Sequence, residues 1–228
     1  MSISKSSQQA TTTALPLSTY QYRIRVKAGD NWLLPGRKGS GKTFFGKRLL
    51  SSLAELYPTS KIYILDIKLR DFNDFPGIIQ SDHAPSKSSD RVQVWQPVIE
   101  YPDEIEKWLY NVLHDPPAIL FIDELLALCY GRKTTSEQYR RIQKLGRALP
   151  IATITATQEL VEIPRNAIGQ ADHIARFRLR HPYEQRLMNT IMGSDLDEPV
   201  DKYGFFYTHA EQDGPPVYYS NAQKFLPQ

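Results

Sequence analysis

Eight consecutive residues near the amino terminus have the spacing of a nucleotide phosphate-binding loop. Residues 36–43 read Gly-Arg-Lys-Gly-Ser-Gly-Lys-Thr, which fits the pattern G-x-x-x-x-G-K-[ST]. In such a loop the backbone N–H groups turn toward phosphate oxygens, the lysine reaches the β and γ phosphates, and the threonine hydroxyl binds Mg²⁺. Lys42 and Thr43 would take the last two roles. The predicted ATP-binding residues are Gly36, Arg37, Lys38, Gly39, Ser40, Gly41, Lys42 and Thr43.

A pair of adjacent carboxylates is the second feature that could do chemistry. Asp123 and Glu124 directly follow the apolar run 118–122. An acid at such a strand end supports Mg²⁺ beside a phosphate loop, and a following glutamate can activate the attacking water. Alternatively, the pair has only a structural role, with Asp123 as the N-cap of a helix and Glu124 stabilised by the helix dipole. A kinase needs no water-activating group, so the pair favours ATP hydrolysis, with Asp123 and Thr43 at the metal and Glu124 as the base.

A glutamine ends a third apolar run. Gln158 follows residues 151–157, and a polar side chain at the carboxyl end of a buried strand faces the crevice where ligands of open α/β sheets bind. We predict that Gln158 senses the γ phosphate or the attacking water. A solvent-exposed strand cap is the alternative explanation.

Basic residues are concentrated between positions 131 and 148, where Glu137 is the only acid. Arg140, Lys144 and Arg147 are spaced to share one helical face. A solvated helix face would explain this run, and so would contact with a polyanion or donation of an arginine into a neighbouring subunit's site. A later strand alternates three arginines and would give a second basic face. The basic residues are Arg132, Lys133, Arg140, Arg141, Lys144, Arg147, Arg176, Arg178 and Arg180.

The elements that must position these groups alternate between strands and helices. Apolar runs predict buried strands at 30–34, 61–66, 118–122 and 151–158, and alternating patterns predict strands at 20–26, 92–95 and 174–179. Helices are predicted at 42–56, 102–114 and 183–192, with a long helix from the acidic pair to about residue 148 that has a polar break near residues 131–135. An irregular excursion at 69–91 and a hairpin around 214–216 complete the chain. This alternation predicts an α/β fold with a mostly parallel sheet.

Length and composition limit the protein classes. The chain has 228 residues and a net charge of +3, which is too small to indicate a nucleic-acid partner by itself. We expect one domain at 20–228, preceded by a disordered polar leader at 1–19. A single cysteine excludes an internal disulfide, and no apolar run approaches 18 residues, so we expect a soluble intracellular protein.

The order of these motifs resembles the FtsK/HerA superfamily of P-loop DNA translocases, and within it the genome-packaging ATPases of membrane-containing icosahedral viruses. The resemblance covers about residues 30 to 182. The residues that carry it are the phosphate loop, Asp66-x-Lys68, Asp123-Glu124, Gly146-Arg147, Ala156-Thr157-Gln158, Ile163-Pro164-Arg165-Asn166 and residues 171–178. In that family Arg147 matches the arginine finger that completes a neighbour's site; Arg141 and Arg165 are other candidates. Asp66-x-Lys68 receives no chemical role from its spacing.

The resemblance implies a RecA-like fold in which the Gln158 strand lies between the phosphate-loop strand and the Asp123 strand. It also implies a homo-oligomeric ring, commonly a hexamer, that uses Mg-ATP to move double-stranded DNA into a capsid. Capsid or virion-membrane proteins would be partners, and the location would be the host cytoplasm or a packaging vertex of the virion. The bacterial members carry membrane spans and a winged-helix module, and neither occurs in this sequence.

Three other functions remain open from the sequence. A conjugative or plasmid DNA-transfer ATPase would belong to the same superfamily. A small-molecule or nucleoside kinase would need an acceptor-binding pair that the sequence does not reveal. A non-hydrolysing nucleotide switch or scaffold is the third, and a GTP-specific form would need an Asn-Lys-x-Asp motif, which is absent.

Overall fold

The computed structural model describes residues 26–130, 134–196, 200–211 and 213–221. The predicted leader at 1–19, all but the last residue of the predicted strand at 20–26, and the basic residues Arg132 and Lys133 lie outside these ranges. No helix in the described part of the chain is long and apolar enough to cross a membrane.

The described residues form nine strands and five α-helices. The strands are β1 (Asn31–Pro35), β2 (Lys61–Leu65), β3 (Ile78–Gln80), β4 (Val92–Gln96), β5 (Ala118–Ile122), β6 (Ile151–Thr157), β7 (His173–Phe177), β8 (Phe205–His209) and β9 (Val217–Tyr219). The helices are α1 (Lys42–Leu56), α2 (Pro102–Leu113), α3 (Glu137–Leu145), α4 (Arg165–Ile168) and α5 (Pro182–Met192), with a 3-10 helix at Leu125–Leu128.

One sheet contains all nine strands, in the order β3-β4-β2-β5-β6-β1-β7-β8-β9. The pairs from β3 to β7 are parallel, and β8 and β9 add antiparallel strands at one edge. The predicted α/β class, the mostly parallel sheet and the C-terminal hairpin are confirmed. So is the position of the Gln158 strand, because β6 lies between β5 and β1.

The parallel arrangement decides where the candidate groups lie. Leu65, Ile122 and Thr155 are in register on neighbouring strands, and Thr157 is opposite Pro35. The segments that follow β1, β2, β5 and β6 therefore leave the sheet at the same carboxyl edge. Three motifs that are distant in sequence meet there.

Hydrophobic side chains cover both faces of the central strands. Leu120 and Ile122 pack into one core cluster, whereas Ile119 and Phe121 pack into the other. Every residue of β1, β5, β6 and β7 is buried. Because neither face meets water, β5 is entirely apolar, as expected for a sheet with helices on both sides. The polar residues of β6 and β7 are themselves buried: Thr153, Thr155, Thr157, His173 and Arg176.

Three predictions about local structure are wrong. The long helix after the acidic pair is replaced by a 3-10 helix, a bridge between Cys129 and Thr135, and the short helix α3, whose first turn is capped by the Ser136 hydroxyl. Polar residues in that segment interrupt the apolar spacing that a continuous helix requires. The excursion at 69–91 contains β3, which pairs with β4. Arg176 does not belong to a basic face: it is buried, donates to the Leu196 carbonyl and lies over the Phe206 ring.

Candidate nucleotide-binding and catalytic site

The phosphate loop connects β1 to α1 at the carboxyl edge of the sheet. Gly41 precedes the helix with φ 101°, a left-handed conformation that side chains disfavour, and no side chain caps the helix start. The first N–H groups of α1 are thus available to an anion. Gly36 packs so closely on β7 that an added Cβ would lie 2.5 Å from the Phe177 Cβ. Glycine is therefore required at position 41 by the backbone conformation and at position 36 by the lack of space for a side chain.

Lys42 is buried inside this loop. Its ammonium group donates to the backbone carbonyls of Gly36 (2.5 Å) and Arg37 (3.0 Å). Burial, followed by the positive charge of Lys68, lowers the pKa of Lys42 to about 8. Phosphate oxygens are stronger acceptors for an ammonium than neutral carbonyls, so the side chain is positioned to exchange these contacts for a nucleotide.

ATP affinity should depend on the protonation of Lys42. Since the free protein holds this pKa at about 8, the amine is charged at pH 7 and mostly neutral at pH 9.5. A terminal phosphate, with a second pKa of about 6, stays ionised across this range. We expect the dissociation constant for ATP to rise roughly 10- to 30-fold between pH 7 and 9.5. Isothermal titration calorimetry would measure it, with circular dichroism confirming the fold at both pH values. A constant affinity would contradict the role of Lys42.

Asp123 is completely buried at the end of β5. Its Oδ2 atom lies 2.7 Å from the Lys68 ammonium, and its Oδ1 atom has no hydrogen-bond partner among the described residues. Burial raises the pKa of Asp123 to about 6, although Lys68 opposes this effect. A buried carboxylate oxygen without a partner is unfavourable unless a ligand completes it.

The donor set in this cleft fits a Mg²⁺ ion. The unpaired Oδ1 of Asp123 is a hard oxygen donor of the kind that Mg²⁺ prefers, and Ser40 Oγ in the phosphate loop is another buried oxygen without a hydrogen-bond partner among the described residues. We propose that Asp123 and the hydroxyl of Thr43 would hold the ion together with the nucleotide phosphates. There it would neutralise charge on the phosphates during transfer.

Glu124 and Gln158 are joined directly. Gln158 donates its backbone N–H to Glu124 Oε1 at 3.2 Å and its side-chain amide to Oε2 at 3.1 Å. Both lie at the carboxyl edge, as predicted. Water activation by Glu124 and γ-phosphate sensing by Gln158 stay predictions. The structure shows that the two side chains are in direct contact, so a change in one would affect the other.

Lys68 is a site residue whose role could not be predicted from sequence spacing. It follows β2, the neighbour of β5, and its ammonium lies between the two acids, 2.7 Å from Asp123 Oδ2 and 3.9 Å from Glu124 Oε2. The signal that could have identified it is a lysine three residues after a buried strand, at the same sheet edge as the acidic pair. Only the order of strands in the sheet shows that the two segments are adjacent.

Arg147 lies at the opposite edge of the sheet. It precedes β6 and pairs with Asp172, which also accepts the Asn31 N–H at the start of β1. About 20 Å of strand separates this edge from the phosphate loop, given a rise of ~3.3 Å per residue. The Arg147 side chain is 55% exposed. It therefore cannot contribute to the nucleotide site of its own subunit, but it is accessible to a neighbour.

The other basic candidates differ in their exposure to solvent. Arg141 and Lys144 are exposed on α3, whereas Arg140 is half-buried. Arg165 is exposed at the start of α4. Beside the phosphate loop is a cavity of about 530 Å³. Its lining includes the basic residues Arg37, Lys38 and Arg180, the acids Glu159, Glu162 and Glu184, and also Gln158 and His181.

Solved structures with this fold include genome-packaging enzymes. B204, the DNA-packaging ATPase from Sulfolobus turreted icosahedral virus, superposes with a TM-score of 0.70 at 16% identity, covering 86% of this chain and 99% of that one. The genome-packaging NTPase B204 of Sulfolobus turreted icosahedral virus 2, in complex with ATPγS, gives 0.72 at 18% identity, with coverages of 86% and 99%.

Conjugation proteins share the fold as well. The pCW3 conjugation coupling protein TcpA gives a TM-score of 0.58 at 15% identity, covering 87% of this chain and 62% of that one. At such identities these likenesses establish the fold alone, and at that level they confirm the resemblance found in the sequence. A search of curated protein sequences finds no match.

The family assignment comes from the sequence. The family described as ATPases associated with various cellular activities (AAA) matches residues 32–179. That stretch begins in β1 and ends just after β7, so it contains the phosphate loop, the acidic pair and Gln158. Because the match covers well over half of the chain, the protein belongs to the AAA family and is a nucleotide-binding ATPase.

Proposed function

We propose that this ATPase is a ring-forming motor that uses Mg-ATP hydrolysis to translocate double-stranded DNA, and that it packages viral DNA into a capsid. In this proposal Lys42 and the phosphate loop bind ATP, Thr43 and Asp123 hold Mg²⁺, and Glu124 activates water. Gln158 couples the γ phosphate to Glu124. Arg147 completes the site of the adjacent subunit.

The observation that carries this proposal is the separation of the candidate catalytic groups between two edges of one sheet. Lys42 and Glu124 lie at the carboxyl edge, and Arg147 lies exposed at the amino edge. An arginine that far from its own site acts on phosphate only if a second subunit presents its carboxyl edge to it. Repeating a head-to-tail contact of this kind generates a closed ring when the rotation between subunits permits closure.

Two features support DNA as the substrate of the motor. Arg141 and Lys144 are exposed on α3, where they could contact a phosphate backbone. The fold neighbours are described as packaging and conjugation proteins, and the likeness to the packaging enzyme spans 99% of that enzyme's chain against 62% for the conjugation protein. We therefore place packaging ahead of conjugative transfer as the function. Partners would be capsid or virion-membrane proteins, in the host cytoplasm or at a packaging vertex.

The kinase alternative is less consistent with the site. Glu124 is held by Gln158 at the carboxyl edge, with the Lys68 ammonium 3.9 Å from its Oε2 atom. This placement suits activation of water, which a kinase excludes from its γ phosphate. An acceptor-dependent phosphate transfer would restore the kinase hypothesis.

The test is steady-state ATP hydrolysis measured against protein concentration, with and without linear duplex DNA. We expect turnover per subunit to rise with concentration, because complete sites form only between subunits, and to rise again when DNA is added. Lys42→Ala protein is the inactive control. Turnover that is independent of both protein concentration and DNA would contradict the shared-site motor.

A further inference from the structure

Lys68 reaches the nucleotide site from a segment outside both nucleotide-binding motifs. Its ammonium donates to the Asp123 backbone carbonyl at 3.2 Å, in addition to its ion pair with the Asp123 carboxylate, and lies 3.9 Å from Glu124. The side chain is 20% exposed. It comes from the turn after β2, so it enters the cleft on the side of β5 that faces away from β6 and β1.

This ion pair leaves the buried carboxylate incompletely satisfied. Asp123 Oδ1 has no hydrogen-bond partner among the described residues although the side chain is fully buried. A resident counter-ion with a purely structural role would be expected to complete the hydrogen bonding of such a group. The donors around Asp123 instead fit a Mg²⁺ ion, and Mg²⁺ and an ammonium on one carboxylate would repel each other.

Lys68 also acts electrostatically on the phosphate-loop lysine. Its positive charge is the second cause, after burial, of the lowered pKa of Lys42. Two ammonium groups therefore lie within electrostatic range in one cleft, and Glu124, Asp123 and Asp71 only partly offset the effect of burial and Lys68 on this pKa. The polyanion that would relieve this repulsion is the triphosphate that Lys42 binds.

We propose that Lys68 is a second phosphate-binding lysine, which pairs with Asp123 in the free protein and with the terminal phosphate of bound ATP. Its four-carbon stem is flexible enough for such a change of partner. This inference rests on the ATP-binding part of the proposed function and is independent of the DNA part. It also gives the site a means of distinguishing ATP from ADP, since only ATP offers the additional phosphate.

The test compares the affinities of ATPγS and ADP for wild-type and Lys68→Met protein, measured by calorimetry in EDTA and without DNA. Loss of one charge-assisted contact should weaken ATPγS binding roughly 10- to 100-fold, with ADP changing by less than about threefold. Lys68→Arg should recover most of the ATPγS affinity, because it restores a cation of similar reach.

A matched control separates this effect from a loosened loop. Lys47 on α1 pairs with Asp74, in the same excursion that follows Lys68, but does not touch the acidic pair. Lys47→Met should leave the ratio of the two affinities unchanged. To avoid a lone buried carboxylate, the Lys68→Met change is repeated in an Asp123→Asn background and compared with Asp123→Asn alone.

Three results would overturn the proposal. Lys68→Met protein could bind both nucleotides with wild-type affinity, or lose affinity equally for ATPγS and ADP. The double variant could also keep the ratio of ATPγS to ADP affinity that Asp123→Asn protein has. Each would make Lys68 a counter-ion of Asp123 only. None depends on DNA, so failure of the motor hypothesis would appear separately, as ATP turnover that DNA does not stimulate.

Discussion

Glu124→Gln protein is expected to bind ATP with wild-type affinity but to hydrolyse it roughly 10²- to 10⁴-fold more slowly. The amide keeps the shape of the carboxylate and can still contact Gln158, whereas it cannot accept a proton from water. Nucleotide affinity depends mainly on Lys42 and the loop, which this change leaves intact. Single-turnover hydrolysis and calorimetry would measure the two quantities separately.

A control for this substitution is available on α1. Glu55 is exposed on that helix, so Glu55→Gln makes the same chemical change away from the cleft and should leave hydrolysis unaffected. If Glu124→Gln retained more than about a tenth of wild-type turnover, Glu124 would not be the general base. The Glu124–Gln158 contact would then be structural.

Arg147→Ala should reduce hydrolysis by roughly 10³- to 10⁵-fold without loss of ATP binding, the range observed when an arginine finger is removed. The cause would be loss of charge stabilisation in the neighbour's site. Stability should fall by only about 1 kcal/mol: the Arg147 side chain is 55% exposed, and Asp172, which is only 11% exposed, keeps its hydrogen bond from the Asn31 N–H. Turnover, ATP affinity and thermal unfolding should be measured on the same preparation.

Mixing variants tests whether Arg147 acts between subunits. An Arg147→Ala subunit retains Glu124, and a Glu124→Gln subunit retains Arg147, so some interfaces in a mixed assembly contain both groups. We expect such mixtures to hydrolyse ATP faster than either variant alone. Arg141→Ala and Arg165→Ala test the two other candidates for the arginine finger. If one of these variants lost most of its ATP hydrolysis while Arg147→Ala remained active, that arginine would be the finger instead of Arg147.

The phosphate-loop helix and the central strands were predictable from local sequence. Helix α1 occupies the predicted range 42–56, and the apolar runs at 118–122 and 151–158 form β5 and β6. These elements are buried on one or both faces, and the residues that face the core are apolar. The spacing of apolar residues therefore predicts the type of element. The segment after Glu124 was not predictable in this way, because its short 3-10 helix and the bridge from Cys129 to Thr135 depend on contacts with other elements.

The sequence by itself determined the chemistry of the nucleotide site: a loop that binds phosphate, a buried acid suited to a metal and a second acid suited to a base. Those assignments depend on residues adjacent in the chain, whose relative positions the backbone fixes. Tertiary structure alone decided which distant groups meet. Strand order brought Lys68 to the acidic pair, and strand direction carried Arg147 to the opposite edge. The family resemblance implied that the Gln158 strand is next to the Asp123 strand, but the hydrogen bonds between Gln158 and Glu124 are visible only in the structure. Strand order and direction are set by packing across the whole sheet, which no local spacing records.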